Sequence, residues 1–255
     1  MKNPSPLSVV ILAKNEERTI GRCLGAATQM SDDVVVILDD GSTDRTLSIC
    51  SQYRVRVVRH PWQGYAATKN YGISLAAYDW ILSLDADEVA DDSLIKTINN
   101  LTPVQGTVYL VNRLTYFGNR PIKWCGWFPE WNRRIFNRRS MMWNQNLVHE
   151  QLTATGPVSE IRLSGILHHY SFRDEEDMQH KFDKYARLRA TEWISSEKPP
   201  SLPKRLLGPA FRFFKTYIIK LGFLEGHTGW TIAKNDYLLK RKELLYYHMF
   251  KSENS

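Results

Sequence analysis

The chain has 255 residues, 43% hydrophobic and 24% charged, with a formal net charge of +7 from 34 Lys and Arg against 27 Asp and Glu. That composition excludes a collagenous, low-complexity or disordered chain and leaves room for one well-buried core with an appendage, or two modest domains. No stretch approaches the ~18 uninterrupted apolar residues of a membrane-spanning helix.

The start, MKNPSPLSVVILAKNEE, carries one early lysine and a short apolar run that ends in charge. It reads as a first strand rather than a signal peptide. Residues 7–13 (LSVVILA), 34–39 (VVVILD), 55–58 and 80–84 (WILSL) are short apolar runs rich in β-branched residues. Such runs suit strands covered on both faces of a sheet. Between them, residues 17–29 place Ile20, Cys23, Leu24 and Ala27 on one helical face, and residues 46–52 and 66–77 follow the same logic. Alternating strands and helices predict βαβ units, and residues 5–113 are expected to form a doubly wound α/β sheet with ligands beyond the carboxyl ends of its strands.

After Arg113 the pattern changes. Residues 114–131, rich in aromatics and glycine, suit a long loop or short antiparallel strands. Residues 175–197 read as a helix, ended by Lys198-Pro199-Pro200. Residues 204–250 hold two basic helical stretches. Cys23, Cys50 and Cys125 lie far apart with no C-x-x-C, so neither a disulfide framework nor a zinc site is expected, as suits a cytoplasmic location.

Two acidic clusters close the second and fourth runs: Asp39-Asp40-Gly41-Ser42-Thr43-Asp44 and Asp85-Ala86-Asp87-Glu88. Carboxylates gathered in one crevice repel each other, so a divalent cation, polar ligand groups or helix capping must compensate. A hard ion that keeps waters and binds ligand phosphates suits such a cluster. Capping is the plainer role: Ser42 or Asp44 for the helix near Thr46, and Asp91 or Asp92 for the helix holding Leu94 and Ile98.

In this order, residues 9–17 (VVILAKNEE), 36–44 (VILDDGSTD), Gly64 through Lys69-Asn70-Tyr71-Gly72, and 84–88 (LDADE) resemble a family 2 glycosyltransferase of GT-A fold. The match covers roughly residues 5–115. Weaker similarity in Val148-His149-Glu150 and residues 222–226 (GFLEG) resembles the bacterial subgroup that includes lipopolysaccharide-core β-1,4-glucosyltransferases. The resemblance implies a GT-A fold: a doubly wound mixed sheet, Rossmann-like in its nucleotide-binding half, with a C-terminal helical extension. It divides the chain into a catalytic domain, 1–200 (5–113 binding the nucleotide sugar, 114–172 the acceptor), and a basic extension, 201–255.

The resemblance also implies roles. Ala13, Asn15 and Glu16 would border the base and ribose of a UDP-sugar, and Asp39 would hydrogen-bond the uracil. Asp85 would contact ribose or sugar, and Asp87 would bind Mn²⁺ or Mg²⁺ bridging the diphosphate. Lys69 would reach the phosphates or the base edge; a solvated helix lysine is the other reading. Such an enzyme transfers glycosyl with inversion, so a carboxylate must accept the proton of the attacking hydroxyl. The family's usual Glu-Asp pair is missing here. Glu150 is the best substitute and Glu130 the second, unless Glu150 merely pairs with Arg133, Arg134 or Arg138.

His168-His169 follows Ile166-Leu167 and is expected at a strand end. His168 is the candidate metal or phosphate ligand from this pair, against a core-edge histidine bonded to backbone. Trp124 and Trp127 are candidates for an acceptor platform, since sugar rings present apolar C–H faces, and Arg133 for holding an anionic acceptor. Both tryptophans also suit plain packing between subdomains.

In residues 203–224, Leu206, Phe211, Phe214, Ile218 and Leu221 recur at helical spacing among Lys204, Arg205, Arg212, Lys215 and Lys220. A basic amphipathic helix of this kind is expected to touch an anionic membrane surface at its cytoplasmic face, beside a lipid-linked or envelope saccharide acceptor. Packing the stripe onto the catalytic domain is the alternative. The rival functions are a nucleotidyltransferase-type α/β enzyme and a basic nucleic-acid-binding protein. The acidic strand ends oppose the latter, so no nucleic-acid partner is expected.

Overall fold

The computed structural model describes residues 6–144, 151–196 and 200–253. The four apolar runs form β1 (Leu7–Ala13), β2 (Asp33–Asp39), β3 (Arg56–His60) and β4 (Trp80–Asp85), with α1 (Ile20–Met30), α2 (Thr46–Cys50) and α3 (Tyr65–Ser74) between them. They lie in the order β3-β2-β1-β4, all parallel. The runs of β1, β2 and β4 are continuous because both faces are covered, whereas β3, at the sheet edge, is exposed or half-buried throughout. Val9, Ile11, Val36, Leu38, Leu82 and Leu84 pack on Ile20 and Leu24 of α1, whereas Val10, Leu12, Val35, Ile37 and Ile81 meet Ala66 and Ile73 of α3. Each fully buried aliphatic side chain contributes roughly 1.5–3 kcal/mol. Gly72 lets α3 approach closely, since a Cβ there would sit 2.7 Å from Val10 Cγ1.

The chain continues through β5 (Glu88–Ala90), α4 (Asp92–Asn99), β6 (Thr107–Phe117), β7 (Arg120–Pro121), β8 (Glu130–Asn137), β9 (Met141–Trp143), β10 (Leu152–Ala154) and β11 (Ser159–Phe172). It ends in α5 (Glu175–Ser195), α6 (Leu202–Phe214), a π-helical turn at Lys215–Ile219, a 3₁₀ turn at Gly222–Glu225, and α7 (His227–Glu253). The sheet runs β3-β2-β1-β4-β8-β6-β11-β5, with β7 added to β6 and β9–β10 a separate ribbon. It is mixed, because β8 pairs antiparallel with β4 and β6, and β5 antiparallel with β11. The expected cap at Asp91 is present, its Oδ1 accepting the Leu94 N–H at 2.7 Å.

One topological fact positions the site. β5 follows β4 after two residues, yet four strand steps separate them in the sheet. Four steps in a flat sheet span ~19 Å, whereas the three residues from Asp85 to Glu88 reach at most ~10 Å. The sheet therefore curls, bringing β5 back to the end of β4. His168-His169 is not at a strand end as expected. It lies within β11, paired with Val89 and Glu88 of β5.

The chain divides into two compact units. The first runs to Arg113 and resumes at Glu130–His169; the second holds Leu114–Pro129 and everything from Tyr170. The units do not break at 200/201. Ile122 and Cys125 share a small core with Phe172, Met178 and Ile232, and Ala186 and Ala190 of α5 pack on Tyr246 and Tyr247 of α7. Residues 114–129 and α5 therefore belong with the C-terminal helices.

Candidate active site

The loops after β1 and β2 meet at the carboxyl edge of the sheet, stitched by polar side chains. Asn15, at φ +54°, accepts the Thr43 N–H on its Oδ1 at 2.8 Å and donates its own N–H to Ser42 Oγ at 3.0 Å. The Glu16 N–H donates to Thr46 Oγ1 at 2.8 Å, and Asp44 accepts from Glu17 N–H (2.9 Å) and Thr46 N–H (2.9 Å). Asn15 and Asp44 thus tie one loop to the other. Buried Ala13 ends β1, and beside it Asp39 accepts the Gly41 N–H at 2.7 Å and Lys14 Nζ at 3.1 Å.

Asp85 ends β4 one strand away. Its Oδ1 lies 3.6 Å from Lys69 Nζ and its Oδ2 3.1 Å from an Arg134 amino nitrogen. Lys69 is no solvated helix lysine: it is 4% exposed, with Nζ 4.5 Å above the Trp143 ring. Burial pushes the Asp85 carboxyl upward, but Lys69, Arg134, His169 and Arg113 outweigh it and hold the carboxyl well below the usual range. Glu88, fully buried, pairs with Arg134, lies 3.4 Å from Arg113, and accepts the Asp85 N–H at 3.1 Å. Buried charges require such partners.

Asp87 meets His169, Oδ2 to Nε2 at 3.3 Å. Successive strand residues point to opposite faces, so His169 rather than His168 turns toward the Asp-x-Asp turn. The His168 imidazole is shifted down by burial, with Asp91 opposing. Among the described residues no group of three His, Cys, Asp or Glu is assembled to hold a metal. A carboxylate and an imidazole supply two donors, which fits Mn²⁺ or Mg²⁺ taking its remaining ligands from phosphate and water.

Glu150 and His149 lie outside the described residues. The arginines offered as partners for Glu150 are engaged elsewhere: Arg133 with Glu160 (2.6 Å), Arg134 as above, and Arg138 with Asp79 (3.1 Å). Glu130 is clasped by Arg113 through two hydrogen bonds of 3.0 and 2.7 Å. Of the acceptor candidates, Trp124 exposes its ring, Trp127 packs on Phe172 with centroids 5.5 Å apart, and Arg133 also donates to the Leu152 carbonyl at 3.1 Å. The two tryptophans belong to the second compact unit and Arg133 to the first.

Sequence reasoning placed Glu88 in the acidic run and took His168 rather than His169 from the histidine pair, and it missed Arg113 and Arg134 as members of this cluster. A signal existed for Arg134. An arginine directly before Ile135-Phe136 in a buried strand must find a carboxylate.

A buried aspartate and an Asp-x-Asp turn, delivered to one sheet edge among lysine and arginine, define the class. Residues 8–156 match the family described as Glycosyl transferase family 2, and the chain belongs to that family, whose GT-A fold the mixed sheet displays. It is a glycosyltransferase. It is 28% identical over 244 residues to the lipopolysaccharide core biosynthesis glycosyltransferase LpsC of Rhizobium meliloti (strain 1021), with 88% of this chain and 87% of that one covered. An uncharacterized glycosyltransferase of Rickettsia typhi, RT0209, is 26% identical over 237 residues, covering 88% and 80%. Among solved structures, S. aureus TarS 1-349 in complex with UDP-GlcNAc shows a TM-score of 0.48 at 15% identity, covering 97% of this chain and 91% of that one.

Proposed function

We propose that this glycosyltransferase moves a hexose from a UDP-sugar, UDP-glucose first among them, with inversion to a saccharide of the lipopolysaccharide core or a similar lipid-linked envelope glycan. The observation that carries this reading is the setting of Asp85: an ionised carboxylate at a strand end, between the buried cations Lys69 and Arg134. Such a group accepts hydrogen bonds from ribose or sugar hydroxyls, while the neighbouring cations offset diphosphate charge. Asp39 uses two of its roughly four acceptor positions internally, which leaves room for a ring N–H of the base. The similarity to LpsC, a lipopolysaccharide core biosynthesis glycosyltransferase, supports the acceptor class.

Asp87 and His169 would hold Mn²⁺ or Mg²⁺, which supplies Lewis-acid neutralisation of the charge on the departing UDP. Lys69 and Arg134 add fixed positive charge beside it. Glu150 is proposed as the base that takes the acceptor proton. Glu130 is the poorer choice, because both its carboxylate oxygens are already held by Arg113.

The test follows nucleotide release from UDP-glucose with a core oligosaccharide acceptor. Release of UDP that needs Mn²⁺ or Mg²⁺, and falls at least ~10²-fold in Glu150→Gln, is the expected result. Release of pyrophosphate would instead mark a nucleotidyltransferase, and full activity in excess chelator would remove the metal.

A further inference from the structure

The second compact unit wears apolar side chains outward along α6. Leu207, Ala210, Phe211, Phe214 and Ile218 are exposed and recur at helical spacing through α6 and the following π-helical turn. At about 100° per residue they share an arc of about 100°. Leu207 is 67% exposed, Phe211 57% and Phe214 49%. The opposite face, which carries Pro209, Arg212 and Thr216, is turned inward. Arg212 donates to Asp236 of α7 at 3.1 Å, and the buried Thr216 hydroxyl donates to the same carboxylate at 2.5 Å. A helix that packs its apolar stripe onto a protein core has the reverse orientation.

The charge around this stripe has one sign. Residues 202–250 hold nine Lys and Arg and three acids. All three acids, Glu225, Asp236 and Glu243, are buried and paired with Arg120, Arg212 and Lys240. No carboxylate of this stretch reaches the surface. Beside the stripe, a cavity of about 360 Å³ opens between α6 and α7, lined by Arg205, Tyr237, Arg241 and His248 and by the exposed Leu206 and Leu245, with no acid among its lining residues. Among the described residues no helix is long and apolar enough to cross a membrane.

We propose that this face docks on an anionic lipid bilayer. α6 lies in the plane of the interface, with Leu207, Phe211, Phe214 and Ile218 below the headgroups. The groove takes a lipid phosphate between Arg205 and Arg241. Outward apolar side chains supply depth, and the basic side chains of residues 202–250, unaccompanied by an exposed acid of that stretch, select an anionic surface over a neutral one.

The test is co-sedimentation of the full chain with vesicles of phosphatidylcholine alone and with one-third phosphatidylglycerol. The expected result is at least ~10-fold stronger partition into the anionic vesicles, weakened by high salt. The triple variant L207Q/F211Q/F214Q should lose at least ~10-fold of that partition with an unchanged thermal midpoint, since it alters only exposed side chains. Arg241→Gln alone should lose about fivefold. Wild type that stays in the supernatant with anionic vesicles, or variants that bind as wild type does, would overturn the proposal. So would a wild-type dimer in sedimentation velocity that the triple variant dissociates while neither binds vesicles, because the occupant would then be a second copy. Vesicle binding is read without any donor sugar, so its failure leaves the transferase reading untouched, and the reverse holds.

Discussion

Arg134 sets its guanidinium 3.1 Å from the Asp85 carboxylate and against the fully buried carboxylate of Glu88, so one cation of β8 clasps both ends of the Asp-x-Asp turn. The Asp85 N–H closes the same turn onto Glu88. Asp85 is thereby aimed and kept ionised by groups from other strands.

Removing Glu88 should leave Arg134 buried and short of a partner. Breaking a buried pair from one side costs about 3–5 kcal/mol. Glu88→Ala is expected to lower the thermal midpoint by roughly 6–20 °C. A drop of under ~2 °C in a melting curve would show the cluster to be solvated instead.

The two adjacent histidines should behave differently. His169→Ala is expected to raise the Mn²⁺ or Mg²⁺ concentration for half-maximal transfer at least ~10-fold, and His168→Ala to leave it within about twofold. Metal titrations of both variants decide the matter; equal effects would reject the Asp87–His169 pair as the ion's protein ligands.

Gly165 of β11 passes the first turn of α4 so closely that a Cβ would lie 2.3 Å from the Leu94 nitrogen and 2.5 Å from its Cα, and its φ is +104°. Backbone cannot yield as a flexible side chain can. Gly165→Ala should cost at least ~3 kcal/mol from overpacking and backbone strain together, read by urea unfolding. A loss under ~1 kcal/mol would mean that β11 and α4 separate easily.

Asp183 in α5 accepts from Lys242 at 2.8 Å, Tyr246 at 2.7 Å and Arg187 at 3.0 Å. The Lys242 hydrogen bond, helped by Tyr246 and Arg187 and opposed by burial, holds its carboxyl well below the ordinary value. A depressed carboxyl contributes stability that is present above the unfolded value of ~4 and lost as pH falls below it. Wild type should exceed Asp183→Asn by roughly 1–2 kcal/mol at pH 7, with the gap closing as pH drops toward ~2. Urea unfolding at several pH values measures it, and a gap that widens in acid would refute the assignment.

Much of the first compact unit was legible in the chain because its signals are local. A run such as Val9-Val10-Ile11-Leu12 names a strand covered on both faces, and Asp39 and Asp85 follow such runs directly. The orientation of α6 was not legible. A stripe of Leu207, Phe211, Phe214 and Ile218 has the same period whether it faces a core or solvent, and only the hydrogen bonds of Arg212 and the buried Thr216 to Asp236 show which way it turns.

The amino-acid sequence by itself determined the βαβ order, the acidic strand ends and the family, because each depends on residues within a few positions of one another. Only the tertiary structure decided that His169 and not His168 meets Asp87, and that Arg113 and Arg134 pair with Glu88. Those meetings arise when the sheet curls and brings β6, β8 and β11 round to the end of β4. Which side chains then face one another is set by strand pairing across long chain separations, and local periodicity does not encode it.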